Sequence, residues 1–188
     1  MAIQSNMIPL GTVAPDFRLK DTRTNQFVEL HNIKSPIATV VMFLCNHCPY
    51  VKHIQNKLVE TARSYQAKGI CFVAISSNDV ITHPQDGPEL MRLEAEKNNY
   101  TFPYLYDGSQ EVAHAYHAAC TPDFYVFDKN LHCVYRGRFD DSSPGNNKEA
   151  SGADLSHVLD SMLAGIAVRH DQIASIGCGI KWKKKEDE

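Results

Sequence analysis

The chain has no apolar run long enough to cross a bilayer. Its longest, Ile37 to Cys45, is about half of the roughly 20 residues a membrane span needs, and Thr39 interrupts it. An excess of positive charge is also missing: 19 Lys and Arg stand against 22 Asp and Glu, a net charge of -3. The one basic cluster, Lys181 with Lys183 to Lys185, is followed at once by Glu186, Asp187 and Glu188, which is not a nucleic-acid footprint. Six cysteines in 188 residues are too few and too unevenly placed for a disulfide scaffold, so most are expected to be free thiols in a reducing compartment. Met1 to Asn6 lacks the cationic start and apolar stretch of a secretory signal, and a cytoplasmic location is expected. No repeat period or low-complexity tract divides the chain.

A composition of 43% hydrophobic and 22% charged residues is near the globular average and supplies a sizeable core. The length predicts one compact domain over residues 1–188, with a C-terminal tail over 166–188. Phe17 to Leu19 and Phe27 to Leu30, separated by polar residues, predict a short hairpin ahead of the main fold. The apolar run then predicts a buried strand. After Cys48-Pro49, the positions Val51, Ile54, Leu58, Ala62 and Tyr65 fall at helical spacing, with Gly69 as a stop signal.

Further on, Ile70 to Ser76 predicts a strand, Pro88 to Asn98 a helix, and Pro103 to Tyr106 a short strand. Ser109 is expected to cap a helix carrying Val112, Ala113 and Tyr116. Phe124 to Phe127 and His132 to Arg136 predict an antiparallel pair, and Ser151 with Asp154 resembles a capping box for a last helix through Leu155, Val158, Leu159 and Leu163. Strands alternating with helices and closing on a hairpin predict an α/β fold, a mixed central β-sheet flanked by helices on both faces, with an N-terminal β-hairpin extension.

Cys45 and Cys48 stand where the buried strand becomes a helix. Two thiols at this spacing can close a small reversible disulfide or supply half of a tetrahedral zinc site. No second close pair completes a zinc ribbon, so no metal is expected. The unpaired N–H groups of a helix start favour a thiolate, and the expectation is a lowered pKa on Cys45 as nucleophile, with Cys48 as the resolving thiol. His47 between them is expected to modulate the pair, because an imidazole stabilises a nearby thiolate and makes the disulfide more oxidising. His114, His117 and Cys120 stand at spacings of three and could share a helical face as ligands, although polar residues on a half-exposed helix explain them more simply. Cys71 and Cys133 fall in predicted strands as small core residues. Cys178, flanked by Gly177 and Gly179, is a possible additional redox thiol, and a structural tail is the plainer alternative.

Three segments together carry a family resemblance: Phe43 to Pro49, Thr121 to Asp128, and Gly177 to Lys183. The chain resembles the thioredoxin-fold redoxins, in particular the peroxiredoxin-like AhpC/TSA branch. That resemblance implies a thioredoxin-like fold, a cis Pro122 facing the cysteine pair, and a Thr121 backbone that pairs with bound substrate. It implies a thiol-disulfide oxidoreductase acting on protein or small-molecule thiols and disulfides, with no organic cofactor. Leu44 stands where thioredoxins carry Trp, and Asn46-His47 replaces their Gly-Pro, so the potential is expected to be less reducing than thioredoxin's. Val41 and Cys45 stand where peroxiredoxins carry the Pro and Thr of their motif, which counts against the alternative of a thiol peroxidase. Another alternative is a metal-binding redoxin holding a soft ion through Cys45, Cys48 and a histidine.

Overall fold

The computed structural model describes residues 2–184, and the end of the charged cluster, Lys185 to Glu188, lies outside the described residues. In chain order the elements are β1 (Ala2–Gln4), β2 (Arg18–Asp21), β3 (Phe27–Glu29), α1 (Leu30–Ile33), β4 (Ala38–Phe43), α2 (Pro49–Gln66), β5 (Cys71–Ser76), α3 (Pro88–Lys97), β6 (Tyr104–Tyr106), α4 (Glu111–Ala115), β7 (Cys120–Thr121), β8 (Asp123–Asp128), β9 (Cys133–Gly137), α5 (Ala153–Ala164) and β10 (Ile176–Gly179). A 3₁₀ turn over Pro84–Asp86 precedes α3.

Seven strands form the main sheet in the order β3-β2-β6-β5-β4-β8-β9. Its centre is parallel, β4 beside β5 and β5 beside β6, and its other pairings are antiparallel. Every residue of β4 is buried, because layers cover both faces of the sheet. Ala38, Val40 and Met42 face a core completed by α2, α3 and α5, whereas Val41 and Phe43 face a second core with Leu30 of α1 and Val112, Ala113 and Tyr116 around α4. This two-sided burial explains why the strand reads as a continuous apolar run. Thr39 is accommodated by accepting a hydrogen bond from the Ser35 N–H at 2.9 Å.

The predicted hairpin is present as β2 and β3, with Leu19 opposite Val28, but β2 also pairs with β6. The hairpin is therefore the edge of the main sheet and not an appendage to it. At both predicted helix caps the serine hydroxyl is present, Ser109 accepting the Glu111 N–H and Ser151 the Ala153 N–H, each at 3.3 Å, and a buried carboxylate adds to it. Asp107 accepts the Ala113 N–H at 2.9 Å and fixes the start of α4, where Gln110 adopts a left-handed φ of 67°. Asp140 accepts the N–H groups of Ser151 and Gly152 at 2.7 and 2.6 Å, and Gly152 opens α5 at φ 66°. Asp154 turns away to pair with Arg138.

A second sheet of three strands, β1-β10-β7, joins the two ends of the chain. Part of the expected tail is thus a central strand, with Cys178 opposite Ala2 on one side and Thr121 on the other. No helix among the described residues is long and apolar enough to cross a membrane.

The buried face of α2 includes Leu58, which is 1% exposed, next to the exposed Asn56. Leu58→Ala is expected to lower the unfolding free energy by about 2–5 kcal/mol in urea titrations, and Asn56→Ala by less than about 0.5 kcal/mol. Equal effects would mean that α2 does not pack as described.

Candidate active site

The end of β4 and the start of α2 position the cysteine pair. The Leu44 N–H bonds to the Ile75 carbonyl at 3.0 Å and extends the β4–β5 ladder, after which the chain turns. Pro49 opens α2 at a position where its missing N–H is not needed, and Cys48 is the N-cap residue. Cys45 is 2% exposed and Cys48 is fully buried. Thr121 faces both sulfurs: its Oγ1 is 3.3 Å from Cys45 Sγ, and its carbonyl oxygen is 3.2 Å from Cys48 Sγ. The Thr121–Pro122 peptide bond is cis.

His47 is held by Asp86, with Nδ1 to Oδ2 at 2.6 Å. Asp86 is fully buried and also accepts the Asn46 N–H and the Asn78 amide, both at 2.8 Å. Asn46 in turn donates to the Gln85 carbonyl and accepts from the Tyr104 hydroxyl. Asp86 therefore fixes both residues between the cysteines. Its only signal in the sequence is the Pro84-Gln85-Asp86-Gly87-Pro88 turn, with no spacing that links it to the pair. Atoms of Cys45, His47 and Asp86 lie within 4.8 Å of one another. A soft ion bound there would have to displace the three hydrogen bonds that Asp86 already accepts. A shallow cleft lined by Asn46, His47, Leu90, Leu93 and Lys97 opens beside this network.

The pair holds one negative charge more readily than two. Contact with Cys48, then burial, then the charge of Asp86 hold Cys45 far above the ordinary thiol range, opposed by the Thr121 hydroxyl. Cys48 shifts the other way. A hydrogen bond from Cys45 outweighs its burial, and the Cys178 thiol and the N–H groups of Val51 and Cys178 add to it. The expected benefit of the helix start thus falls on Cys48, the N-cap residue, and not on Cys45, which stands one turn too early.

Cys178 belongs to the same cluster, brought there by β10. Burial and the contact with Cys48 push its thiol up to about 11. The Thr121 backbone, expected to be open to a substrate, is already paired with Cys178. Cys120 points its thiol at the Pro122 carbonyl, and burial, then Asp123, hold it protonated. Burial likewise raises Cys71, and raises Cys133 to about 11. The His114, His117 and Cys120 set does not share a helical face. Helix α4 ends at Ala115, His117 takes a left-handed φ of 52°, and His114 stacks on Trp182.

The AhpC/TSA family profile matches residues 10–136, and the chain belongs to that family. It is similar to a solved structure of an uncharacterized conserved protein from Geobacillus kaustophilus, with 53% identity, 98% of each chain covered and a TM-score of 0.97. A hypothetical protein from Sinorhizobium meliloti matches at 45% identity, with 96% of this chain and 98% of that one covered and a TM-score of 0.93. The thioredoxin domain of a thiol-disulfide oxidoreductase from Bacteroides vulgatus shares the fold, at 18% identity and a TM-score of 0.59 over 69% of this chain and 89% of that one. The thioredoxin-like fold is therefore shown. No curated protein matches the chain in sequence.

Directly after Pro122, the fully buried Asp123 receives the Tyr125 hydroxyl at 2.9 Å and the Phe124 N–H at 3.1 Å. Burial raises its pKa from 3.8 to about 7, against these hydrogen bonds and those from Ser175 and Ser5. The folded chain thus holds a proton that the unfolded chain releases, so this group's contribution is fully present below about pH 4 and lost as pH rises through about 7. Asp123→Asn is expected to gain stability relative to the parent over that window, measured by urea unfolding at a series of pH values. A difference independent of pH would refute this.

Proposed function

We propose that this protein is a thiol-disulfide oxidoreductase that exchanges disulfides with protein or small-molecule thiols through Cys45 and Cys48, without an organic cofactor. The supporting observation is the pair itself: two buried thiols at a strand-to-helix turn, both facing Thr121. A reducing compartment such as the cytoplasm would keep them as thiols.

Cys45 lies beside His47 and Asp86, and it is the sulfur that receives the partner in this reading. As its sulfur attacks a partner disulfide, its proton passes to the Cys48 thiolate. The partner S–S bond breaks, a Cys45–partner disulfide forms, and the departing thiolate takes up a proton. With Nδ1 engaged by Asp86, Nε2 of His47 is the nitrogen left to supply it. Cys48 then releases its proton and attacks Cys45, closing the Cys45–Cys48 disulfide and releasing the second partner thiolate. Two protein thiols are oxidised and one partner disulfide is reduced. The reverse sequence oxidises a dithiol partner.

A second reading has Cys48 as a peroxide-attacking thiolate. It is favoured by the charge on Cys48, the sulfur that falls on the cysteine of the peroxiredoxin motif. Peroxide-dependent oxidation of a thiol donor, absent in Cys48→Ser, would support it.

For the exchange reaction, Cys45→Ser is expected to lose turnover, and Cys48→Ser to accumulate a mixed disulfide on Cys45 visible in intact-mass spectra. Accumulation in Cys45→Ser instead would interchange the two roles, and full activity in either variant would remove the mechanism. His47→Ala leaves Asp86 without its imidazole partner beside Cys45 and so disfavours the thiolate form. Equilibration against glutathione is expected to give a more negative potential for this variant. An unchanged potential would make His47 a bystander.

A further inference from the structure

Strand β10 places a third, half-buried thiol beside the pair. Cys178 stands opposite Thr121, whose carbonyl oxygen is 3.2 Å from Cys48 Sγ. Cys178 packs against the core cluster that holds Cys45 and Cys48. The approach depends on Gly177. A Cβ there would lie 2.0 Å from the Thr121 carbonyl oxygen and 3.2 Å from Pro122 Cδ, so any side chain would force β10 away. Pairing with β1 on its other edge, from Ala2 to Gln4, holds the strand from behind. Cys120, Cys71 and Cys133 have no comparable relation to the pair.

We propose that Cys178 is a second resolving thiol that exchanges with the oxidised pair: Cys178–SH and Cys45–S–S–Cys48 become Cys48–S–S–Cys178 and Cys45–SH. This inference rests on the Cys45–Cys48 exchange chemistry proposed above and goes beyond it. The Cys178 sulfur attacks Cys48, the Cys45–Cys48 bond breaks, and the Cys45 sulfur leaves as a thiolate that ends protonated. One S–S bond forms as another breaks, so no external oxidant or reductant is needed. The site regulates its own nucleophile. In the dithiol form burial, and then the neighbouring Cys48, raise the Cys178 thiol, and the part due to Cys48 is gone once Cys48 is in a disulfide. The product is an oxidised protein in which Cys45, beside His47, is again a free thiol able to attack a further disulfide.

The test is disulfide mapping of the full chain after oxidation by glutathione disulfide, acid quenching, alkylation and non-reducing peptide mass spectrometry. The parent protein is expected to show both Cys45–Cys48 and Cys48–Cys178 bonds, and Cys45→Ser only the latter. Gly177→Ala, folded by circular dichroism, keeps all three thiols and is expected to lose the Cys48–Cys178 bond while retaining Cys45–Cys48. A parent protein with only Cys45–Cys48, together with a Cys45→Ser variant left as a thiol or glutathione adduct at Cys48, would overturn the role of Cys178 and leave the pair intact. A Cys48–Cys178 bond with no Cys45–Cys48 bond in the parent would instead overturn the reading of the pair and retain that of Cys178.

Discussion

A buried anion has to be surrounded by donors, since leaving a charge unpaired inside a protein costs several kcal/mol. The cysteine site is organised around this requirement. The groups that lower the Cys48 thiol come from three places far apart in sequence: Cys45 before α2, Val51 in its first turn, and Cys178 in β10. Asp86 is a second buried anion with a separate set of donors, from Asn46, Asn78 and His47. The two anions are not independent. The charge of Asp86 raises Cys45, the nearer sulfur, and so pushes the shared charge towards Cys48, where the helix start and β10 receive it.

The parts of this arrangement that follow from short-range patterning were legible in the sequence. The apolar run through β4, the helical spacing after Pro49 and the cysteines at their junction fix where the pair lies, because a strand buried on both faces and an amphipathic helix each leave a periodic trace. The charge on Cys48 was not legible, since it depends on which sulfur faces the Val51 N–H and Cys178, a matter of a few ångströms. Asp86 was missed because it meets Asn46 and His47 only when the loop before α3 folds across the end of β4. The caps at Ser109 and Ser151 were read from local rules and their hydroxyls do accept an N–H, but Asp107 and Asp140 take other N–H groups at the same helix starts and, as carboxylates, are the stronger acceptors. Strand β10 had almost no trace. Ile176-Gly177-Cys178-Gly179 has two glycines and an exposed isoleucine, and it is a strand because β1 and β7 pair with it on both edges.

That pairing changes what the Thr121 edge can do. In a strand-to-strand mode of recognition, a partner's extended backbone would take the hydrogen bonds of the residue before the cis proline. Here the chain's own β10 takes them, three residues in register with β1 and two with β7, and Gly177 lets it lie closer than any other residue could. An extended peptide could dock there only by displacing a strand held on both sides, with the loss of both sets of backbone bonds. The opposite approach carries no such penalty. On the His47 side the cleft lined by Leu90 and Leu93 holds no part of β10, so a partner entering there meets Asn46 and His47, the residues between the cysteines, without disturbing that strand. The two cysteines therefore differ in their surroundings as well as in their acidity: Cys45 stands beside His47 and Asp86, and Cys48 lies in the core cluster against which the third thiol, Cys178, packs.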